Sequence, residues 1–321
     1  MTNDKRQMTT NQTIHFAQLS DIHISSLGDR YDMLSGRAAD FLRTAVAALN
    51  GMADLDFVLI SGDLFDTASH WELEQFEQAI SALNKPRYII PGNHDRRDAD
   101  QPEGLTRRDF ARRFNPQFAA RPARESAQAG YWSVEVHPQV QLIGLDSIID
   151  GDWRGEIDAP QLAWLEAELA RCAHKTVLLA VHHPLHKLAP IDDEPGWTRF
   201  VLTNGPDVLH LLDAHPQVKL VLTGHHHVTR ADWLGRRLHL ACPALVIYPC
   251  AFRTLRISLN DGGGVQADWQ THAATDAAVT AESRARMVQM WREVGFSAEF
   301  VAGYAAIALG SDVDRRGSAQ L

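Results

Sequence analysis

Five segments of this chain are runs of strand-forming residues, rich in Val, Ile and Leu with little polar alternation: 57–61, 87–91, 140–146, 176–181 and 218–223. Short runs of this kind predict strands buried on both faces. Between them the apolar positions change period. Ala38, Phe41, Leu42, Ala45, Val46 and Leu49 recur at helical spacing, as do Leu73, Phe76, Ile80 and Leu83, which predicts amphipathic helices over 34–50 and 71–83. Asp158 followed by Gln161 reads as a capping box that opens a helix at 159–171. Pro206 suits the first turn of a helix at 205–214, and 280–294 reads as one more. Strands alternating with helices imply an α/β architecture.

The rhythm changes between 228 and 270. RADWL and RRLHL flank Gly235, and LRISL is followed by DGGG and VQADW, hairpin signals that predict a second, more antiparallel sheet. Residues 1–13 read as a disordered leader, 14–270 as the main domain, 271–310 as a helical extension and 311–321 as a frayed, flexible tail.

Polar clusters stand at Asp21–His23, Gly62–Asp66, Gly92–Asp95, His182–Pro184 and Gly224–His227, each after a run of strand-formers. In open α/β sheets the loops beyond the carboxyl ends of the strands share one rim, so these residues meet although far apart in sequence. Asp21 and His23, two residues apart, project to one side of an extended segment and can hold one ion. Gly62 permits a sharp turn that aims Asp63 at the rim, where a carboxylate can bridge two cations about 3.5–4 Å apart. Asp66 stands behind it. Asn93 offers a neutral carbonyl oxygen suited to a hard ion.

His94 is placed over the substrate phosphate, where its imidazolium stabilises developing charge or protonates the leaving oxygen, with Asp95 orienting it. His182 is the candidate ligand of its cluster, and His183 either backs it or faces solvent; the choice between them stays open. His225 and His227 share a side, and His226 between them points away. Asp, Asn and His donors without Cys favour Mn, Fe, Zn or Co over a thiolate site.

The 321 residues leave room for one large domain or two small ones, and 45% apolar residues can bury a sizeable core. A net charge of -9 argues against broad binding to nucleic acid or to anionic lipid, but not against a small anionic substrate at a metal site. Cys172, Cys242 and Cys250 form no CxxC pair, and the N-terminus has no apolar stretch resembling a signal peptide; both point to a reduced, cytoplasmic compartment. No run of roughly 18 apolar residues predicts a membrane span.

The ordered motifs DxH, GDxxD, GNH[DE], HxP and GHxH all stand here between residue 14 and about 260. In them the chain resembles the calcineurin-like metallophosphoesterases. GNHD in place of GNHE, the VHHP segment and the length look most like the class III cyclic-nucleotide and glycerophosphodiester phosphodiesterases. The resemblance implies a four-layer α-β-β-α sandwich with two mixed sheets. It implies Asp21, His23 and His227 on one metal, Asn93, His182 and His225 on a second, Asp63 bridging them, and His94 as the catalytic histidine. It implies a binuclear-metal phosphodiesterase, with Mn or Fe ahead of Zn or Co, that cleaves a cyclic nucleotide such as cAMP or a glycerophosphodiester by attack of a metal-bound hydroxide.

Rival readings are a phosphomonoesterase or nucleotidase, a DNA-end nuclease, which would want a basic groove this acidic chain lacks, and a metal-free scaffold. The loop 184–200 is expected to cover the site, with Asp192, Asp193 and Glu194 repelling a polyanion and Trp197 either stacking on a base or anchoring the loop. Arg96 and Arg97 either touch phosphate or are solvated. The segment 272–310, with Met287, Met290, Trp291 and Phe296, packs on its own domain, caps the site or joins a neighbour in a homo-oligomer.

Overall fold

The computed structural model describes residues 12–96, 104–119, 130–260 and 263–321. Two six-stranded mixed sheets form its centre. The first contains β1 (Gln12–Leu19), β2 (Phe57–Ile60), β3 (Arg87–Ile89), β10 (Ala251–Leu259), β11 (Val265–Ala273) and β12 (Arg316–Gln320), in the order β12-β11-β10-β1-β2-β3. The second contains β4 (Trp132–His137), β5 (Val140–Gly144), β6 (Thr176–Ala180), β7 (Val218–Thr223), β8 (Arg230–Leu234) and β9 (Arg237–Ala241), in the order β4-β5-β6-β7-β9-β8. The middle of each sheet is parallel: β1, β2 and β3 in one, and β5, β6, β7 and β9 in the other.

The alternation within each strand builds the layers. Phe16, Leu59, Leu255 and Ile257 of the first sheet meet Leu142, Leu178, Leu220 and Leu240 of the second in a sandwich core. The opposite face of the first sheet, with Leu19, Val58 and Ile60, is covered by α1 (Ala38–Asn50), α2 (His70–Ile80) and α3 (Arg107–Phe114). The opposite face of the second, with Ile143, Leu179 and Val221, is covered by α4 (Ala159–Arg171) and α5 (Gly205–Asp213). This is a four-layer α-β-β-α sandwich, in which residues of opposite parity on a buried strand feed different cores. Beyond it, α6 (Ala277–Val294) and α7 (Ala298–Leu309) pack on the loop after β6 through Met287, Trp291, Tyr304, Leu188 and Ile191.

Four expectations need correction. Residues 228–270 do not build a sheet of their own. The β8–β9 hairpin joins the second sheet by laying β9 parallel to β7, while β10 pairs with β1 in the first. Hairpin signals fix local pairing but not which sheet has an edge to offer. The tail 311–321 is not frayed: β12 pairs with β11 from Gln266–Gln320 to Gln270–Arg316, and a helical turn at Asp312–Arg315 precedes it. Buried Arg253 donates to the Asp314 carbonyl at 3.0 Å, and the Trp269 indole donates to the Val313 carbonyl at 3.0 Å, so two buried donors depend on that tail. Of the expected leader, residues 1–11 lie outside the described residues, and Gln12 and Thr13 already pair in β1.

The capping box of α4 is half formed. Asp158 accepts from the Gln161 amide at 2.8 Å, but the Gln161 side chain turns to the backbone of Asp146. Among the described residues no helix is long and apolar enough to cross a membrane.

Candidate metal centre

The five polar clusters converge at the carboxyl ends of β1, β2, β3, β6 and β7, where the central strands of both sheets end together. Their loops are tied to one another by main-chain bonds. The Asp21 amide donates to the Gly62 carbonyl and that of His23 to the Asp63 carbonyl, both at 3.0 Å, and the Gly224 amide donates to the His182 carbonyl at 3.0 Å. Such close approach leaves no room for side chains at the turns. A Cβ on Gly92 would run into the Asp63 carboxylate, and one on Gly62, whose φ is +100°, would lie 2.5 Å from His182 Nδ1.

Within this frame Asp21, His23, Asp63 and His227 bring one donor atom each to a common point, and Asp63, His182 and His225 do so at a second. Asp63 belongs to both groups. His227 Nε2 lies 3.2 Å from Asp21 Oδ1, His23 Nε2 3.6 Å from Asp63 Oδ2, and His182 Nε2 3.2 Å from the same Asp63 oxygen. Asn93 Oδ1 is buried and has no hydrogen-bond partner. Six of the seven sequence-predicted ligands fall in these two groups, and the seventh, Asn93, lines the same cavity as His23, Asp63, His225 and His227.

The backbone that does this is not extended. Asp21, His23, Asp63, His225 and His227 all have φ between 46° and 65°. Asp21 and His23 reach one common point through left-handed turns, not along pleated strands, whereas His225 and His227, expected to share a side, fall in different groups. Each such residue costs on the order of 1–3 kcal/mol of backbone strain unless the surroundings over-determine it, and clusters of them mark functional sites.

The donor set fits cations on its own chemistry. His23 Nε2 and His227 Nε2 face each other at 3.4 Å, and two lone pairs so directed repel unless a proton or cation lies between them. The His182 Nδ1–H donates to the Ser61 carbonyl at 2.7 Å, which leaves Nε2 as the lone pair facing Asp63. His225 Nε2–H donates to the Arg199 carbonyl at 3.3 Å, leaving Nδ1 for the centre. Burial opposes charge throughout, yet the imidazoles around Asp63, His182 first, hold its carboxyl well below the usual range. Burial works to lower His182, and the Asp63 charge overrides it, raising the imidazole to about 9. A cation held there would compete with a proton for the His182 Nε2 lone pair. Burial, followed by the neighbouring His94 and His227, lowers His23 to about 4.

The flanking residues settle several sequence alternatives. His183 does not face solvent. It is buried, its Nδ1 lies 2.8 Å from Ser147 Oγ, its Nε2–H donates to the Trp153 carbonyl at 2.9 Å, and its ring rests 4.2 Å from that of His225. His226 turns away to Asp192 at 2.8 Å. Asp192 is buried, accepts also from the Leu188 and Ala189 amides, and is not among the residues lining the cavity. Arg96 neither touches phosphate nor is solvated: it is buried in ion pairs with Asp146 and Asp150. Arg97 lies outside the described residues.

Asp95 does not orient His94. Its Oδ1 accepts from the Leu64 amide at 2.7 Å and the Phe65 amide at 3.3 Å, and its Oδ2 from the Gly92 amide at 2.8 Å. Burial and the nearby Asp63 charge push its carboxyl up to about 8. Geometry makes it the brace between the 62–66 and 92–95 loops, because its side chain points back under the turn it starts from. The Asp66 main-chain carbonyl does the orienting, accepting the His94 Nδ1–H at 2.8 Å, while the His94 amide donates to Asp63 Oδ1 at 2.9 Å. No sequence signal marks a main-chain acceptor of this kind. A second group missed in sequence is Arg199, whose guanidinium lies against the cavity beside the centre. That cavity is about 250 Å³, and His23, Asp63, Asn93, His94, His225 and His227 form its floor.

The comparisons with known proteins agree with this geometry. The family model for calcineurin-like phosphoesterases matches residues 14–229. A 3',5'-cyclic-nucleotide phosphodiesterase of Nostoc sp. is 30% identical over 67% of this chain and 71% of its own length. A glycerophosphodiester phosphodiesterase of Enterobacter lignolyticus is 27% identical over 66% of this chain and 70% of its own. Among solved structures, a dimetal phosphatase from Danio rerio superposes with a TM-score of 0.64 at 16% identity, covering 82% of this chain and 97% of that one, a likeness of fold.

Proposed function

This chain belongs to the calcineurin-like phosphoesterase family, and from that premise we propose that it is a metal-dependent phosphodiesterase for a small phosphodiester, a 3',5'-cyclic nucleotide or a glycerophosphodiester. The observation that carries the reading is the Asp63 carboxylate, shared by two groups of largely buried donors that include no thiolate. When bound, two divalent cations supply charge neutralisation at the phosphoryl group and acidify an attacking water. Asp21, His23 and His227 are the proposed ligands of one, Asn93, His182 and His225 of the other, and Asp63 of both. Mn or Fe is our proposed native metal, on oxygen and imidazole donors alone.

The chain's own residues do the remaining work. The Ser61 and Arg199 carbonyls hold the His182 and His225 tautomers, so that each ring keeps a lone pair directed inward. The Asp66 carbonyl takes the His94 Nδ1–H and leaves Nε2 for the substrate side, where a proton held on it passes to the departing alkoxide. Apolar residues of the cavity wall exclude water from the reacting group. The three cysteines are buried free thiols, which supports a reducing, cytoplasmic setting.

The test is a substrate panel on Mn-reconstituted protein: cyclic AMP, glycerophosphoethanolamine, mononucleotides, and bis(p-nitrophenyl) phosphate against p-nitrophenyl phosphate. Diesters are expected to turn over at least tenfold faster than monoesters. Faster hydrolysis of monoesters would move the chain to the phosphatases. Bound metal without turnover of any ester would make it a scaffold.

A further inference from the structure

One wall of the cavity owes nothing to the ligand clusters. It is formed by Trp153, Trp197, Phe200, Met287, Met290 and Trp291. The last three stand on α6, beyond the residues the family model matches. Apart from the histidines and Asp63, the cavity has two charged side chains, Arg199 and Asp32.

Among the described residues, Arg199 is the cavity's one cationic side chain apart from the histidines. Its guanidinium lies 4.2 Å over the Trp153 ring and 5.4 Å from the Trp197 ring. Its buried Nε has no partner, and no carboxylate or carbonyl among the described residues accepts from the group. The guanidinium is half-buried, and with no protein acceptor its donors are free for a ligand in the cavity it lines. Trp153 is 39% exposed, more than a packing anchor requires. Across the cavity Asp32 is buried, and it accepts the Trp291 indole N–H at 3.2 Å.

A planar ligand with acceptors on its edge suits this wall. It stacks on the indoles, offers edge nitrogen or oxygen to the guanidinium, and presents a donor to Asp32. A glycerol or ethanolamine group would bring hydroxyls or an ammonium to a surface with few polar partners and gain no stacking. A cavity of about 250 Å³ is small for a ligand site, enough for one ring and its phosphate ester.

We propose that this wall is the subsite for the ester group, that it selects phosphodiesters carrying a flat heterocyclic ring, and that Arg199 is its specificity-determining residue. The inference rests on the phosphodiesterase reading above and narrows it to nucleotide substrates.

The experiment compares kcat/KM for cyclic AMP and for glycerophosphoethanolamine on the Mn-loaded full chain, as wild type, Arg199→Ala and Trp197→Ala, with metal content and melting temperature measured on each. The wild type is expected to favour the cyclic nucleotide at least tenfold. Each variant is expected to cut that ratio at least fivefold, mainly through KM, with both metals retained. A ratio unmoved in both variants, or a wild type that favours the aliphatic diester, overturns the inference and leaves the phosphodiesterase reading standing. Absence of turnover with either diester despite bound metal overturns both.

Discussion

Asp95→Ala separates a brace from a catalytic partner. Asp95 is fully buried and receives three backbone amides, from Leu64 at 2.7 Å, Gly92 at 2.8 Å and Phe65 at 3.3 Å. Removing the carboxylate strands these amides in the interior, at about 1–3 kcal/mol each. The Phe65 bond is long and contributes least, and a water entering the vacated space recovers part of the rest. The net expectation is a loss of about 3–5 kcal/mol, a large share of the total stability of a typical domain. In a chain of this size that lowers the melting temperature by about 4–7 °C.

The same change frees Asp63 from its support, so metal affinity falls about 10–100-fold, as for other residues that hold ligands in place. The assay is calorimetry of the metal-free protein with Mn titration, followed by turnover at saturating Mn. Turnover then recovers to within tenfold of wild type, because His94 keeps its bond to the Asp66 carbonyl. A variant that melts within about 2 °C of wild type, binds Mn normally and still loses turnover would refute the brace and return Asp95 to the chemistry.

Three further outcomes are expected. His94→Ala should lower turnover about 10²–10⁴-fold with metal content intact, read by kinetics and elemental analysis, since its amide bond to Asp63 is made by the main chain; loss of metal would show the ring to be a ligand instead. Asp63→Asn should abolish Mn-dependent turnover and lower metal occupancy at both positions, because its Oδ2 lies near His23 and His182 alike; occupancy of two ions per chain in this variant would contradict the bridging role. Truncation after Gly310 should destabilise the protein by at least about 3 kcal/mol in urea unfolding, by removing acceptors of the buried Arg253 guanidinium and the Trp269 indole along with the β12 ladder; an unchanged midpoint would mean the tail is dispensable.

The aromatic wall and the C-terminal helices are connected. Trp291 of α6 packs 5.0 Å from Trp197 and 4.9 Å from Tyr304, and the Tyr304 hydroxyl donates to the His226 carbonyl at 3.2 Å. Helices far along the chain thus reach the ligand loops through a few rings. Of the three roles open to 272–310 in sequence, packing on its own domain and lining the site are one arrangement, because the face of α6 that touches the loop after β6 also borders the cavity.

The sequence by itself determined what depends on near neighbours. Apolar runs specified most of the buried strands, helical spacing specified α1 and α2, a cap residue and a first-turn proline marked the starts of α4 and α5, and polar clusters after strands specified which side chains could meet. These are local signals: a buried strand must be apolar on both faces, and a ligand loop must carry Asp, Asn or His at its tip. The tertiary structure alone decided matters that need a partner from elsewhere. Asp95 faces amides 30 residues away, Arg96 finds Asp146, Asp192 finds His226, and polar β12 becomes a strand because β11 offers it an edge. Even the shared direction of Asp21 with His23, and the division of His225 and His227 between two donor groups, came from left-handed backbone that the surrounding loops enforce. Hydrogen-bonding groups at the sheet ends are satisfied by whatever the fold brings near, and one chain's local pattern does not encode that proximity.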